Sequence, residues 1–156
     1  MVSIIPHEYI ISNKVRFVID KVETTAPAVG IYSALELANK NYIFVAGCDV
    51  PFITDDVVLK LLNEIYAYDG VIPKWPNGYI EPLVAIYRRN KLKNAIEITF
   101  KKGKIAMHDI ISTMNINYVD IYRIARKPEI AFLNINTSED LLLAEALLQK
   151  RNEALF

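Results

Sequence analysis

The run Tyr42-Ile43-Phe44-Val45-Ala46 is apolar at every position and stops on Gly47-Cys48-Asp49. An apolar run without alternation is predicted to form a central strand covered on both faces. Pro51 and a helix cue at Thr54 follow, which places the Asp49 carboxylate at the carboxyl end of that strand. A strand buried on two sides requires layers above and below a sheet, so the rest of the chain has to supply helices.

The periodicity elsewhere supplies them. Val15 to Asp20 reads as a strand that also ends in a carboxylate. Ile31, Ala34, Leu35 and Ala38 recur at helical spacing and predict a short helix from about Gly30. Thr54 is placed to cap the next helix, with Asp55 and Asp56 at its positive end and Val58, Leu61, Leu62 and Ile65 as its buried stripe. Val71 to Pro73 and Leu83 to Tyr87 read as strands, separated by a turn-rich loop containing Trp75, Pro76, Asn77 and Gly78. Leu92, Ala95, Ile96 and Thr99 face one side of a helix that Gly103 ends. Met107, Ile110, Ile111 and Met114 repeat the helical spacing, and Tyr118 to Tyr122 reads as an edge strand. The last unit, Ala131 to Phe156, is predicted to run strand, turn, helix. Phe132 and Leu133 fall in its strand, Leu141, Ala144 and Leu148 form its helical stripe, and Thr137 with Asp140 has capping-box spacing. Alternating strands and helices predict a three-layer, Rossmann-like α/β fold with a mostly parallel sheet, and residues 1–156 are read as one domain.

Composition narrows the function classes. Lys+Arg and Asp+Glu both total 18, so no net charge draws nucleic acid or an anionic membrane from a distance. No apolar run approaches the roughly 20 residues that cross a bilayer, and the opening MVSIIPHEYI lacks the basic region of a signal peptide. Cys48 is the only cysteine, which excludes a disulfide framework or a thiolate metal site and makes a reducing cytoplasm the expected location.

In open α/β sheets ligands bind outside the carboxyl ends of the parallel strands. Asp20 and Asp49 hold such positions. One carboxylate beside nucleotide phosphates suits Mg²⁺, because phosphate oxygens and water complete its octahedron. A strand-end Asp equally serves to cap a turn or the next helix, and position alone leaves both readings open. Cys48 is read as a small residue packed at the strand end. Trp75 and Tyr79 are read as loop anchors, with a flat wall against a ligand ring as the alternative. Lys101, Lys102 and Lys104 are a solvated charge run at a helix end, and His7 and His108 stand alone.

Four segments carry a family resemblance. FVAGCDVPFI, with Gly47, Cys48, Asp49, Pro51 and Phe52, resembles the metal-binding segment of the molybdenum cofactor guanylyltransferases. Ala26-Pro27-Ala28-Val29-Gly30-Ile31 is similar to that family's Gly-Pro-Leu-x-Gly-Ile turn. Glu81-Pro82-Leu83-Val84-Ala85-Ile86-Tyr87-Arg88-Arg89 is similar to its Pro-Leu-x-Ala-x-Tyr strand. Phe132-Leu133-Asn134-Ile135-Asn136-Thr137-Ser138-Glu139-Asp140-Leu141 resembles its Phe-x-Asn-x-Asn-Thr-Pro-x-Asp-Leu signature. The resemblance implies a GT-A-like nucleotidyltransferase fold and a reaction that moves GMP from GTP to the phosphate of molybdopterin, releasing pyrophosphate. It implies that Asp49 is the catalytic residue that holds Mg²⁺ against the nucleotide phosphates and that Asp20 contacts GTP. By the same resemblance Gly30 lets the backbone pass close to the ligand, and Asn134 and Asn136 face the molybdopterin.

One departure stands out. The family's Leu-Ala-Gly-Gly-x-Ser-x-Arg-x-Gly loop cradles the phosphates. Here the glycines stand apart at 30, 47, 70, 78 and 103. The segment from Ser3 corresponds to the family's second strand, so the N-terminal βα unit is expected to be missing and the true start to lie upstream. A sheet short of a central strand is expected to favour self-association, because unpaired strand edges seek partners. Two further readings follow: a sister cytidylyl- or guanylyltransferase of another cofactor pathway, or a non-catalytic remnant that binds a cofactor or partner.

Overall fold

A computed structural model of the chain describes residues 18, 20 and 26–153. The predicted strand Val15 to Asp20, the segment from Ser3 and His7 therefore lie largely or wholly outside the described residues. Among the described residues the elements run α1 (Pro27–Leu35), β1 (Tyr42–Ala46), α2 (Asp55–Asn63), β2 (Gly70–Lys74), β3 (Val84–Arg88), α3 (Arg89–Phe100), α4 (Met107–Ile111), β4 (Ile116–Asp120), α5 (Ile121–Ile124), α6 (Pro128–Ala131) and α7 (Ser138–Glu153).

The strands form a four-stranded sheet in the order β1-β3-β2-β4. β3 is antiparallel to both β1 and β2, while β2 and β4 are parallel. β1, β2 and β4 therefore share one direction, and β3 alone is reversed. Their common direction brings the carboxyl ends of β1, β2 and β4 to one edge of the sheet, together with the amino end of β3.

Period-two alternation sorts the strand side chains onto two faces. Val71, Val84, Ile86 and Val119 pack with Val57, Leu61 and Ile65 of the α2 region and with Ile121 and Ile124 of α5. Ile72, Ala85 and Tyr87 pack on the other face with Ala28 and Leu35 of α1, Leu92, Ala95 and Ile96 of α3, and Ile110 and Ile111 of α4. Helices thus cover both faces, as the α/β pattern requires. α3 has the buried stripe expected of it, Leu92, Ala95, Ile96 and Thr99. Gly103 follows with φ +72, a left-handed conformation that glycine adopts without a Cβ penalty.

Several expectations are corrected. β1 is not covered evenly: its ends Tyr42 and Ala46 are exposed and its middle half-buried, and among the described residues it pairs on one side only, with β3. α1 begins at Pro27 rather than near Gly30, because Pro at the first helical position has its φ already set for a helix. The stripe of α2 turns by one residue, so that Val57, Leu61 and Ile65 are buried while Leu62 is 39% exposed. Thr54 occupies the cap position of α2 but its side chain makes no cap hydrogen bond. The edge strand at 118–122 lies two residues earlier, and Ile121 already begins a helical turn. Phe132 and Leu133 are not in a strand; α6 and an irregular stretch lead into α7 instead. Of the α7 stripe only Ala144 is buried, while Leu141 and Leu148 are 47% and 43% exposed. Among the described residues no helix is long and apolar enough to cross a membrane.

Candidate functional site

Asp49 sits just past β1, where the chain leaves the sheet. The N–H of Gly47 donates to the carbonyl of Leu83 at 2.8 Å, which extends the β1–β3 pairing by one step and holds the Gly47–Asp49 turn beside the start of β3. The Asp49 carboxylate folds back over Gly47, and a Cβ added at that glycine would collide with Asp49 Oδ1. Glycine at this position lets the side chain approach that closely, leaving a half-buried carboxylate at the sheet edge.

The loop before α7 meets the same place. Ile135 N–H donates to the Asp49 carbonyl at 2.8 Å. That one bond fixes the segment carrying Asn134 and Asn136 against the Asp49 turn. The side-chain amides of both asparagines have no hydrogen bond among the described residues. On the helix side, Asp140 Oδ2 accepts from the N–H groups of Asn136 and Thr137 at 3.0 and 2.9 Å, and Thr137 Oγ1 accepts from Asp140 N–H at 3.2 Å. This is the predicted capping box with Asp in the third position. Those hydrogen bonds hold the Asp140 carboxyl below its ordinary range.

Glu81 arrives from the β2–β3 connection. Its Oε1 accepts from the Trp75 indole N–H at 2.7 Å, and Trp75 packs edge-on against Phe132 with ring centroids 6.3 Å apart. Burial pushes the Glu81 carboxyl above the ordinary glutamate value, the Trp75 hydrogen bond draws it back, and the negative charge of nearby Asp49 raises it again. Asp49, Glu81, Trp75 and the Asn134–Asn136 loop thus converge on one end of the sheet.

The other residues singled out in the sequence are placed as follows. Gly30 is buried within α1. Asp20 is half-buried, and its Oδ1 is buried with no hydrogen-bond partner among the described residues. Cys48 is exposed rather than packed, since it lies in the turn beyond the last residue of β1. Trp75 is a loop anchor as read, whereas Tyr79 is 64% exposed. Lys104 pairs with Asp109 at 2.7 Å, in keeping with a solvated helix end. Two residues that the sequence reading quoted only as part of a motif are Glu81 and Arg88, whose guanidinium donates to the carbonyls of Tyr68 and Tyr66 and clips the α2–β2 turn to β3. A carboxylate six residues after the chain's only tryptophan was the available signal for Glu81. An apolar hollow of about 440 Å³, lined in part by Phe52, Asp56, Val57, Ile130 and Leu147, includes neither Asp49 nor Glu81.

The donor set is one of hard oxygens. Among the described residues no group of three or more His, Cys, Asp or Glu could hold a metal by itself. A single carboxylate such as that of Asp49 is the kind of ligand Mg²⁺ takes when phosphate and water fill its other positions.

An open α/β sheet with a carboxylate just past the end of a strand is an architecture that nucleotidyltransferases share. The chain belongs to the MobA-like NTP transferase domain family, whose pattern matches residues 2–114. It is 31% identical over 140 residues to a probable molybdenum cofactor guanylyltransferase of Methanocaldococcus jannaschii, covering 86% of this chain and 68% of that protein. A protein of the same name from Pyrococcus furiosus is 34% identical over 117 residues, covering 74% of this chain and 58% of the relative. Among solved structures, the molybdopterin-guanine dinucleotide biosynthesis protein A of Archaeoglobus fulgidus matches with a TM-score of 0.73 and 29% identity, over 86% of this chain and 68% of that one.

Proposed function

We propose that the chain is the catalytic part of a guanylyltransferase that joins GMP from GTP to the phosphate of molybdopterin. An oxygen of the acceptor phosphate attacks the α-phosphorus of GTP, the bond from that phosphorus to the bridging oxygen breaks, and pyrophosphate leaves. The observation that carries this reading is the convergence of Asp49 with the Asn134–Asn136 loop through the Ile135 hydrogen bond. The names of the relatives favour guanylyl transfer to a molybdopterin over a cytidylyl reaction.

In this reading Asp49 holds Mg²⁺, the site's expected cofactor, and the turn at Gly47 leaves the room for its carboxylate to do so. The bound ion neutralises phosphate charge during transfer. Asn134 and Asn136 offer amide donors and acceptors to the molybdopterin, and Asp20, with an unsatisfied carboxylate oxygen, accepts from the nucleotide. Gly30 is read as the close-approach residue of α1. Such transfers depend on positioning and charge neutralisation, so no nucleophilic side chain is needed.

The test is Asp49→Asn. Mn²⁺ binding in the presence of GTP, followed by electron paramagnetic resonance, should be lost along with pyrophosphate release. The melting temperature should move by less than about 2 °C, because the side chain is not part of either core. A variant that binds Mn²⁺ and turns over normally overturns the assignment.

A further inference from the structure

Glu81 carries a feature that the reaction as described leaves unused. It is half-buried, yet no cationic side chain pairs with it among the described residues. Only Oε1 has a partner, the Trp75 indole N–H at 2.7 Å. Oε2 is left without a hydrogen bond among the described residues, beside the Asp49 turn. That oxygen is therefore free to accept from a ligand donor. Its position is also held. Trp75 is braced by Phe132, Glu81 N–H donates to the Pro73 carbonyl at 3.0 Å, and Val84 N–H donates to the Glu81 carbonyl at 3.1 Å. A rigid acceptor of this kind, at the ligand-binding edge and next to an indole ring, suits a flat heterocycle that presents adjacent N–H donors.

We propose that Glu81 is a specificity-determining residue of this site, its free carboxylate oxygen accepting from the amino group and ring N–H of a 2-amino-pyrimidin-4-one. The inference rests on the guanylyltransferase reading. Two sources present that edge: the guanine base of the nucleotide and the pterin of the acceptor. A phosphate is disfavoured as the direct partner of Glu81, since two anions repel. The same edge with carbonyl in place of the amine loses a donor and turns an acceptor toward the carboxylate, and buried polar mismatches of this kind discriminate strongly.

Trp75 is the only tryptophan of the sequence, so intrinsic fluorescence reports directly on the partner of Glu81. The chain is titrated with guanosine and with 6-hydroxymethylpterin, neutral probes that need no metal, and in parallel with xanthosine and 6-hydroxymethyllumazine, in which the amine is replaced by carbonyl. Saturable quenching by guanosine assigns the edge to the nucleotide, and saturable quenching by the pterin assigns it to the acceptor. In either case Glu81→Gln, which retains an oxygen for the Trp75 N–H, should weaken binding about tenfold or more, and the carbonyl analogue should bind comparably weakly to the unaltered chain. Absence of saturable quenching, equal affinity of the Gln variant, or equal affinity of the carbonyl analogues would each overturn the proposal. Asp49-dependent Mn²⁺ binding, measured on the same preparations, separates the two readings. If it persists, only the role of Glu81 has failed; if it too is absent, the guanylyltransferase site has failed.

Discussion

Ile135 N–H donates to the carbonyl oxygen of Asp49 across 2.8 Å, although 86 positions of sequence separate the two residues. Neither side chain takes part. The bond joins the turn after the first described strand to the loop before α7, so the metal-binding candidate and the acceptor-binding candidates are tethered at that point. Its loss should therefore be felt in binding as well as in stability.

Ile135→Pro removes the donor and leaves the carbonyl unpaired. A net cost of about 1 kcal/mol is expected, which for a chain of this size lowers the melting temperature by about 2–4 °C. Calorimetry of the variant checks the first figure. Weakened Mn²⁺ binding alongside it would show that the tether positions Asp49, and unchanged binding would show that the Asp49 turn stands without it.

Gly47→Ala places a methyl group where Asp49 Oδ1 now lies. A short side chain can rotate away at little cost, so the change in stability should stay below about 1 kcal/mol. The carboxylate, however, leaves its position. Mn²⁺ affinity should fall about tenfold or more with the circular dichroism spectrum unaltered, and retention of full affinity would show that the folded-back carboxylate is not the binding conformation.

Gly70→Ala tests the sheet rather than the site. A Cβ there would lie 2.7 Å from Cδ1 of Tyr87 and 2.9 Å from Cδ1 of Ile116. Tyr87 is fully buried and its hydroxyl donates to the Pro82 carbonyl at 2.8 Å, so it cannot swing aside freely. Overpacking of this kind costs about 1–3 kcal/mol, to be read from denaturant midpoints at unchanged m-value.

Asp140→Ala tests the cap of α7 and its pH dependence. Hydrogen bonds from Asn136 and Thr137 hold the Asp140 carboxyl below its ordinary value of 3.8. A depressed carboxylate adds stability that is fully present above the unfolded value and is lost as pH falls through the folded one. The difference in melting temperature between the natural chain and the variant should therefore be constant near neutrality and close only below pH 3.8. A difference that is independent of pH throughout would show that the cap acts without its charge.

Local patterns were legible because neighbours in sequence determine them. The stripe of α3, the left-handed glycine at 103 and the Thr137–Asp140 box each depend on residues within a turn or two of one another. Asp49 at a strand end was legible for the same reason: an apolar run followed by a glycine and a proline marks where a strand must stop. The short segments failed where the local signal was shared by two outcomes. Ala131-Phe132-Leu133 is apolar enough for a strand, but Pro128 starts a helical turn just before it. On α2, burial of Val57 in place of Leu62 follows from how the helix is rotated on the sheet, which its own sequence does not state.

By itself, then, the chain's order of residues determined the α/β class, the end of α3 and the cap of α7, and the carboxylate at the end of the first described strand. Only the tertiary structure decided that β3 runs against its neighbours, that the Asn134–Asn136 loop docks on Asp49, and that Glu81 is held by Trp75 beside them. The physical reason is range. Periodicity and capping arise from interactions over a few residues, whereas sheet order, helix rotation and a backbone hydrogen bond between distant loops are chosen by the packing of the two faces as a whole.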